Sequence, residues 1–162
     1  MADLDDFAEL RGLEVATLED AGLEVEPDGW IAIPYPNVTG VWKWRFRNPY
    51  PDGYPKYLDE DEADMHLYNP ALVAPNEAEI WIAEGEMDTL TLIELGLRAV
   101  GVHGTQNVKV DEETGDLDQT SRFKPSWRLL FEDSKVVIAF DNDEEGKKAG
   151  RRLARNLNGE TV

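Results

Sequence analysis

Two stretches of this sequence set carboxylates where an apolar strand runs out and a helix begins. In the first, Ile80-Trp81-Ile82-Ala83 leads into Glu84-Gly85-Glu86-Met87-Asp88. In the second, Val136-Val137-Ile138-Ala139-Phe140 leads into Asp141-Asn142-Asp143 and on to Glu144-Glu145-Gly146. Residues i and i+2 of an extended chain share a face, so extended backbone through 141–143 turns Asp141 and Asp143 to one side. Ligands in open α/β sheets bind beyond the carboxyl ends of the strands. If strands 80–83 and 136–140 are neighbours, Glu84, Asp141 and Asp143 converge there, and three like charges held close call for a cation. With no Cys and 2 His in the chain, oxygen ligands favour a hard ion, Mg2+ or Mn2+, over zinc. Asp88, one helical turn beyond Glu84, supports the same site from behind. Taken singly, each acidic turn also reads as a helix cap, because carboxylates in a first turn suit the helix dipole.

The elements that must hold these residues follow from the apolar pattern. Residues 80–83 form a continuous apolar run, the mark of a parallel strand covered on both faces, and 136–140 is too short and too β-branched for a helix. After the Gly85 turn, 86–95 reads as a helix with Met87, Leu90, Ile93 and Leu95 on a broad face and Gly96 to stop it. The helix after Asp143 buries Ala149, Leu153, Ala154 and Leu157. Its Lys147, Lys148, Arg151, Arg152 and Arg155 make a basic patch, read either as dipole complement or as nucleic-acid contact. Between the two acidic turns, 107–124 is polar and turn-rich, a loop or an exposed hairpin, and Pro125 to Phe131 is a short crossover helix.

Upstream, Phe7 to Gly22 suggests one or two short helices with Thr17 as a cap, and 29–36 a strand stopped by prolines. The next strand, 41–47, alternates strictly. Trp42, Trp44 and Phe46 form an aromatic face expected to turn inward, and Val41, Lys43, Arg45 and Arg47 a basic face expected to turn outward, extended by Lys56. That face is either a track for a phosphate backbone or a strand surface protected by charge. The acidic run at 59–64 reads as a solvated loop, and neither His66 nor His103 has a neighbouring ligand pattern.

In bulk, 162 residues with 41% hydrophobic content suit one ordinary domain or a small subdomain beside an α/β unit. The absence of Cys excludes disulfides and thiolate catalysis, and the acidic start carries no signal peptide, which fits a cytoplasmic protein. A net charge of −18 argues against broad nucleic-acid binding and confines any such contact to local basic surface.

Together the motifs resemble the Toprim domain of bacterial and phage DNA primases and primase-helicases. In that family a strand ends in Glu-Gly, here Glu84-Gly85, with an Asp just beyond, here Asp88. A later strand ends in Asp-x-Asp, here Asp141-Asn142-Asp143, followed by a Gly matched by Gly146. Residues 99–105, ending in Gly104-Thr105, are similar to the family's second strand and turn, and Tyr54-Pro55-Lys56-Tyr57-Leu58 resembles a primase run that precedes the domain. The resemblance implies an α/β fold, a Toprim-type parallel sheet flanked by helices, over 76–162, preceded by a small α+β subdomain over 1–75. It implies template-directed synthesis of short RNA primers on single-stranded DNA from ribonucleoside triphosphates. Glu84, Asp141 and Asp143 would bind two divalent ions, with Glu84 alternatively a general base, and Lys43, Arg45, Arg47 and Lys56 would contact template or nucleotide phosphates. A replicative helicase, as a domain or a separate protein, is the implied partner. Because the family's sheet continues past this point, the resemblance also implies a fragment of a larger replication protein. A Toprim nuclease would use the same carboxylates to activate water, and a non-catalytic interaction module would suit the acidic charge.

Overall fold

The computed structural model describes residues 3–36, 42–50, 55–59, 67–69, 79–103, 108–111, 113–114, 116–117 and 123–162. The chain divides into two units, Met1–Asp64 and Met65–Val162. The boundary expected at 75/76 lies outside the described residues, as do Val41, Tyr54, His66, the run at 60–64 and the Gly104-Thr105 turn.

In the first unit, α1 (Leu4–Arg11) is capped by Asp3, whose side chain accepts from the Asp6 amide at 2.8 Å, and it buries Phe7 and Ala8. α2 (Val15–Asp20) buries Leu18. Thr17 is inside this helix rather than capping it: its amide already donates to the Glu14 carbonyl at 3.0 Å, so the turn has begun before it. Then come β1 (Glu24–Val25), β2 (Ile31–Pro36), β3 (Trp42–Arg47) and β4 (Tyr57–Asp59), an antiparallel sheet in that order.

The register of this sheet inverts the faces expected of β3. Ile31 pairs with Arg47, Ile33 with Arg45, and Arg47 with Tyr57, and directly opposed residues share a face. Ile31 and Ile33 are fully buried, so Arg45 and Arg47 go in with them and are only 4% and 5% exposed. The opposite face carries half-buried Trp44 and Phe46 and exposed Leu58. An arginine tolerates this because its stem is apolar and its flat, weakly hydrated head stacks on rings.

The second unit is a parallel sheet with helices on both faces. β5 (Glu79–Glu84), α3 (Glu86–Glu94) and β6 (Ala99–Val102) are followed by the 3-10 helix Pro125–Phe131, β7 (Lys135–Ala139), α4 (Glu144–Leu157) and β8 (Glu160–Thr161). The strand order is β6-β5-β7-β8, all parallel. Ile80 and Ile82, with Val100, Val102, Val136 and Ile138, meet Ala149, Leu153 and Leu157 of α4 together with Phe123 and Phe131. Thr89 of α3 lies over Gly101, whose strand partner Ala83 is on the other face. The continuous apolar runs of β5 and β7 are thus accounted for by cover on both sides. Between β6 and the 3-10 helix, Val110 bridges Leu117 across an exposed hairpin, and Leu117 is tied to α4 by its amide, 3.1 Å from Asn156 Oδ1. At the foot of the sheet Lys135 Nζ reaches Glu79 Oε2 at 2.9 Å and Glu160 Oε1 at 2.8 Å, joining three strands. Among the described residues, no helix is long and apolar enough to cross a membrane.

Candidate metal centre

Glu84 is the last residue of β5, half-buried, and everything immediately after it is clamped. Gly85 has φ 90° and ψ −176°, a conformation that glycine adopts without strain and side-chain-bearing residues avoid. Its amide donates to the Val102 carbonyl of β6 at 3.0 Å, and its own carbonyl accepts from Thr89 Oγ1 at 2.6 Å. Gly101 makes room for this turn: a Cβ there would lie 2.6 Å from Thr89 Oγ1, 2.8 Å from the Gly85 carbonyl oxygen and 3.0 Å from Tyr68 Cβ. Tyr68 is joined to Gly101 by a reciprocal backbone pair of 2.9 and 3.0 Å. The end of β5 is therefore held from three directions, while Asp88 is exposed in the first turn of α3.

β7 is the direct neighbour of β5, with Ala83 opposite Ala139. Continuing that register sets Glu84 opposite Phe140, one residue short of Asp141. The strand stops at Ala139, so Asp141 and Asp143 belong to the turn that follows and not to alternating strand positions as expected. Asp143 caps α4: its Oδ1 accepts from the Gly146 amide at 2.7 Å, leaving a second oxygen for other work. Gly146 is pressed against the turn, since a Cβ would fall 2.2 Å from the Asp141 carbonyl oxygen. Both aspartates are exposed.

Among the described residues, no group of three or more carboxylates or histidines is gathered closely enough to hold an ion as the side chains stand. The four acids stand at two neighbouring strand ends and in the turns that follow them, with Asp88, Asp141 and Asp143 exposed and Glu84 half-buried. The donor set is all carboxylate, which fits a hard divalent cation and not a soft one.

A family model described as Toprim-like matches residues 81–162, the stretch containing both acidic turns and α4. The chain belongs to the Toprim-like family. The Gene 57 protein of Mycobacterium phage D29 is 30% identical over 135 residues, which is 80% of this chain and 78% of that one. Among solved structures, one match is to the gp4 primase domain in the complex of bacteriophage T7 lagging-strand DNA polymerase interacting with primase domains of two gp4 subunits bound to an RNA/DNA hybrid and dTTP. That match has a TM-score of 0.69 at 21% identity, over 95% of this chain and 76% of the other. Over the matched residues the fold is similar to that of this domain, a Toprim-type primase fold with a parallel sheet flanked by helices and an antiparallel sheet at the N-terminus.

One residue of the Toprim-like unit escaped the sequence reading. Glu86 opens α3, where an acid is ordinarily a solvated partner of the dipole, yet it is 1% exposed. Burial, with the Glu86 charge second, pushes the Tyr68 phenol well above its ordinary range. A buried acid two residues from Glu84 is out of reach of periodicity arguments. The only sequence signal for it is its place two residues after Glu84, in Glu84-Gly85-Glu86.

Three basic residues of the N-terminal unit, Arg45, Arg47 and Lys56, gather round one ring. The Arg45 guanidinium is 3.8 Å from the Tyr57 ring centroid and that of Arg47 is 4.9 Å from it, with Arg47 also 5.9 Å from the Phe7 ring. Arg47 Nη1 donates to the Tyr57 hydroxyl. Lys56 is exposed with Nζ 5.6 Å from the same ring, and Lys43 is half-buried. Arg45 and Arg47 are thus drawn into packing, and Lys43 and Lys56 are the two of the four left with access to solvent.

Proposed function

We propose that this Toprim-like protein is the catalytic core of a phage-type DNA primase, joining ribonucleotides into short RNA primers on a single-stranded DNA template. The observation that carries the reading is the pairing of β5 with β7, which brings Glu84 and the Asp141–Asp143 turn to neighbouring strand ends. The fold likeness to the gp4 primase domain, solved with an RNA/DNA hybrid and dTTP, and the relative from a phage support it.

In this reading Glu84, Asp141 and Asp143 hold two Mg2+ or Mn2+ ions, with Asp88 behind them. When bound, such ions neutralise triphosphate charge and make the attacking hydroxyl more acidic. The reaction joins a 3′-oxygen to the α-phosphorus of the incoming nucleotide, breaks the bond to pyrophosphate and releases the hydroxyl proton. Glu84 is the base positioned to accept that proton if it is not itself a ligand. The chain supplies rigidity to this geometry: Gly85 and Thr89 keep Glu84 in place, and the cap on α4 anchors Asp143 by one oxygen. Lys43 and Lys56 contact phosphates of template or nucleotide, and Arg45 and Arg47 hold the Tyr57 platform that Lys56 overlies. The protein works in the bacterial cytoplasm beside a replicative helicase, as a linked domain or a separate chain.

The test uses purified chain with Mg2+ or Mn2+, ribonucleotides and labelled single-stranded DNA, alongside the Glu84→Gln and Asp141→Asn variants. New RNA oligomers from the wild type alone support the proposal. Shortened DNA without RNA would replace it with a nuclease, and neither product from a metal-binding chain would leave an interaction module.

A further inference from the structure

The strongest concentration of positive charge in the chain is not at the N-terminal sheet but on α4. Lys147, Lys148, Arg151, Arg152 and Arg155 are all exposed, while Ala149, Leu153 and Leu157 of the same helix are in the core. At about 100° and about 1.5 Å per residue, the five fall within an arc of about 140° and a length of about 12 Å. Among the described residues none of them pairs with a carboxylate, in a protein of net charge −18. Helix-dipole complementarity accounts only for Arg155, the one cation in the last turn; Lys147 and Lys148 stand near the other end, where the dipole disfavours them. Like charges one turn apart, 147 with 151, 148 with 152 and 151 with 155, also weaken the helix. An exposed basic stripe along one helix face of a protein of net charge −18 points to a polyanion outside the chain.

We infer that this stripe of α4 is the track for the sugar-phosphate backbone of a single nucleic-acid strand leading to or from the candidate metal centre. The inference rests on reading that centre as a site of phosphoryl chemistry on nucleic acid. Its near end meets the centre at Asp141: a cleft of about 370 Å³ is lined by Asp141, Asn142, Lys147 and Arg151, with Phe140 and Thr161 at its walls. Arg151 is steadied there by its Nε, which donates to the Lys147 carbonyl at 3.1 Å. A triphosphate in the cleft would engage Lys147 and Arg151 and leave Lys148, Arg152 and Arg155 idle. A strand backbone, repeating its charge along the helix, engages all five.

The experiment titrates labelled oligo-dT with the full chain in EDTA over a series of salt concentrations, reading fluorescence anisotropy. The variant is Lys148→Gln/Arg152→Gln/Arg155→Gln, all at exposed positions away from the acidic turns, with an equal or higher melting temperature as the check on folding. Removing three phosphate contacts is expected to weaken binding about 10-fold or more and to reduce the slope of log K against log salt by about two, at about 0.7 per contact on a single strand. Unchanged affinity and slope overturn the proposal, as does a wild type that fails to bind oligo-dT, or a variant that loses only nucleoside triphosphate. Asp141→Asn serves as the separate control: it abolishes primer synthesis and keeps the salt slope. A wild type that makes no primer, with the triple variant still lowering the salt slope, refutes the primase reading and leaves the track standing.

Discussion

Replacing Gly146 by alanine tests whether the turn carrying Asp141 is a fixed wall against α4. The new Cβ would meet the Asp141 carbonyl oxygen at 2.2 Å, its carbonyl carbon at 3.0 Å and its amide nitrogen at 3.2 Å, all backbone atoms. Relief to an ordinary contact requires the turn to retreat by about 1 Å. Overpacking of this kind costs about 1–3 kcal/mol, offset by up to about 1 kcal/mol of helix propensity gained over glycine. The net expectation is a loss of about 1–2 kcal/mol, or on the order of 5 °C in melting temperature. Gly150→Ala is the matched comparison, because its Cβ would find only side-chain carbons of Thr161, Ile138 and Phe140 at 3.5, 3.6 and 3.7 Å, and it should gain about 1 kcal/mol. Melting in EDTA followed by Mn2+ titration separates the two effects. A displacement of about 1 Å at Asp141 should weaken Mn2+ at least ~10-fold in the Gly146→Ala chain and leave Gly150→Ala unaffected. If Gly146→Ala melts at or above the wild type with undiminished Mn2+ affinity, the reasoning from the close approach is wrong.

Three further outcomes follow from contacts described above. Asp143→Ala should cost about 1 kcal/mol in EDTA by removing the cap on Gly146, whereas Asp143→Asn should cost only a few tenths, and both should abolish stabilisation by Mn2+ in a thermal melt. Tyr57→Leu removes the ring under two guanidiniums and should lower stability by about 2–4 kcal/mol, while Tyr57→Phe, which loses only the hydrogen bond from Arg47, should cost about 1–2 kcal/mol; urea midpoints distinguish them. Lys135 and Trp81 hold the Glu79 carboxyl below its ordinary range, so that contribution is present at neutral pH and lost as the pH falls through the folded-state value. The urea midpoints of wild type and Lys135→Met should therefore differ more at about pH 7 than at about pH 3, and an equal gap at both would refute the assignment.

The parallel sheet was open to reading in the sequence because its strands carry their own evidence. Val136, Val137 and Ile138 admit no exposed face, and Ala149, Leu153 and Leu157 recur at helical spacing, so element type and cover follow from composition alone. That β5 and β7 are neighbours was the condition for the acidic turns to converge, and the pairing is present. The N-terminal sheet was legible only as two alternating faces. Alternation in β3 separates Trp44 and Phe46 from Arg45 and Arg47 but does not say which set turns inward. That was decided by Tyr57 and Phe7, which reach the arginines from β4 and α1, and no local pattern announces such partners. Glu86 escaped for a similar reason, whereas the cap reading of the second acidic turn holds at Asp143. An acid at the start of a helix is ordinarily solvated, and no local pattern announces that this one is buried within electrostatic reach of Tyr68.

The pairing of β5 with β7 also has a consequence for how the chain tolerates change. Glu79 and Lys135, 56 positions apart, meet at one end of that pair, so the intervening chain is a closed loop whose length is only weakly constrained. Doubling such a loop costs about 0.6 kcal/mol in closure entropy. Among its described residues, Glu113 and Thr114 are exposed beyond the Val110–Leu117 bridge. Sequence can be inserted at that tip, a fluorescent reporter or an added domain, while the strand ends that carry Glu84 and Asp141 stay in register; the hairpin is where this scaffold has room to acquire new parts.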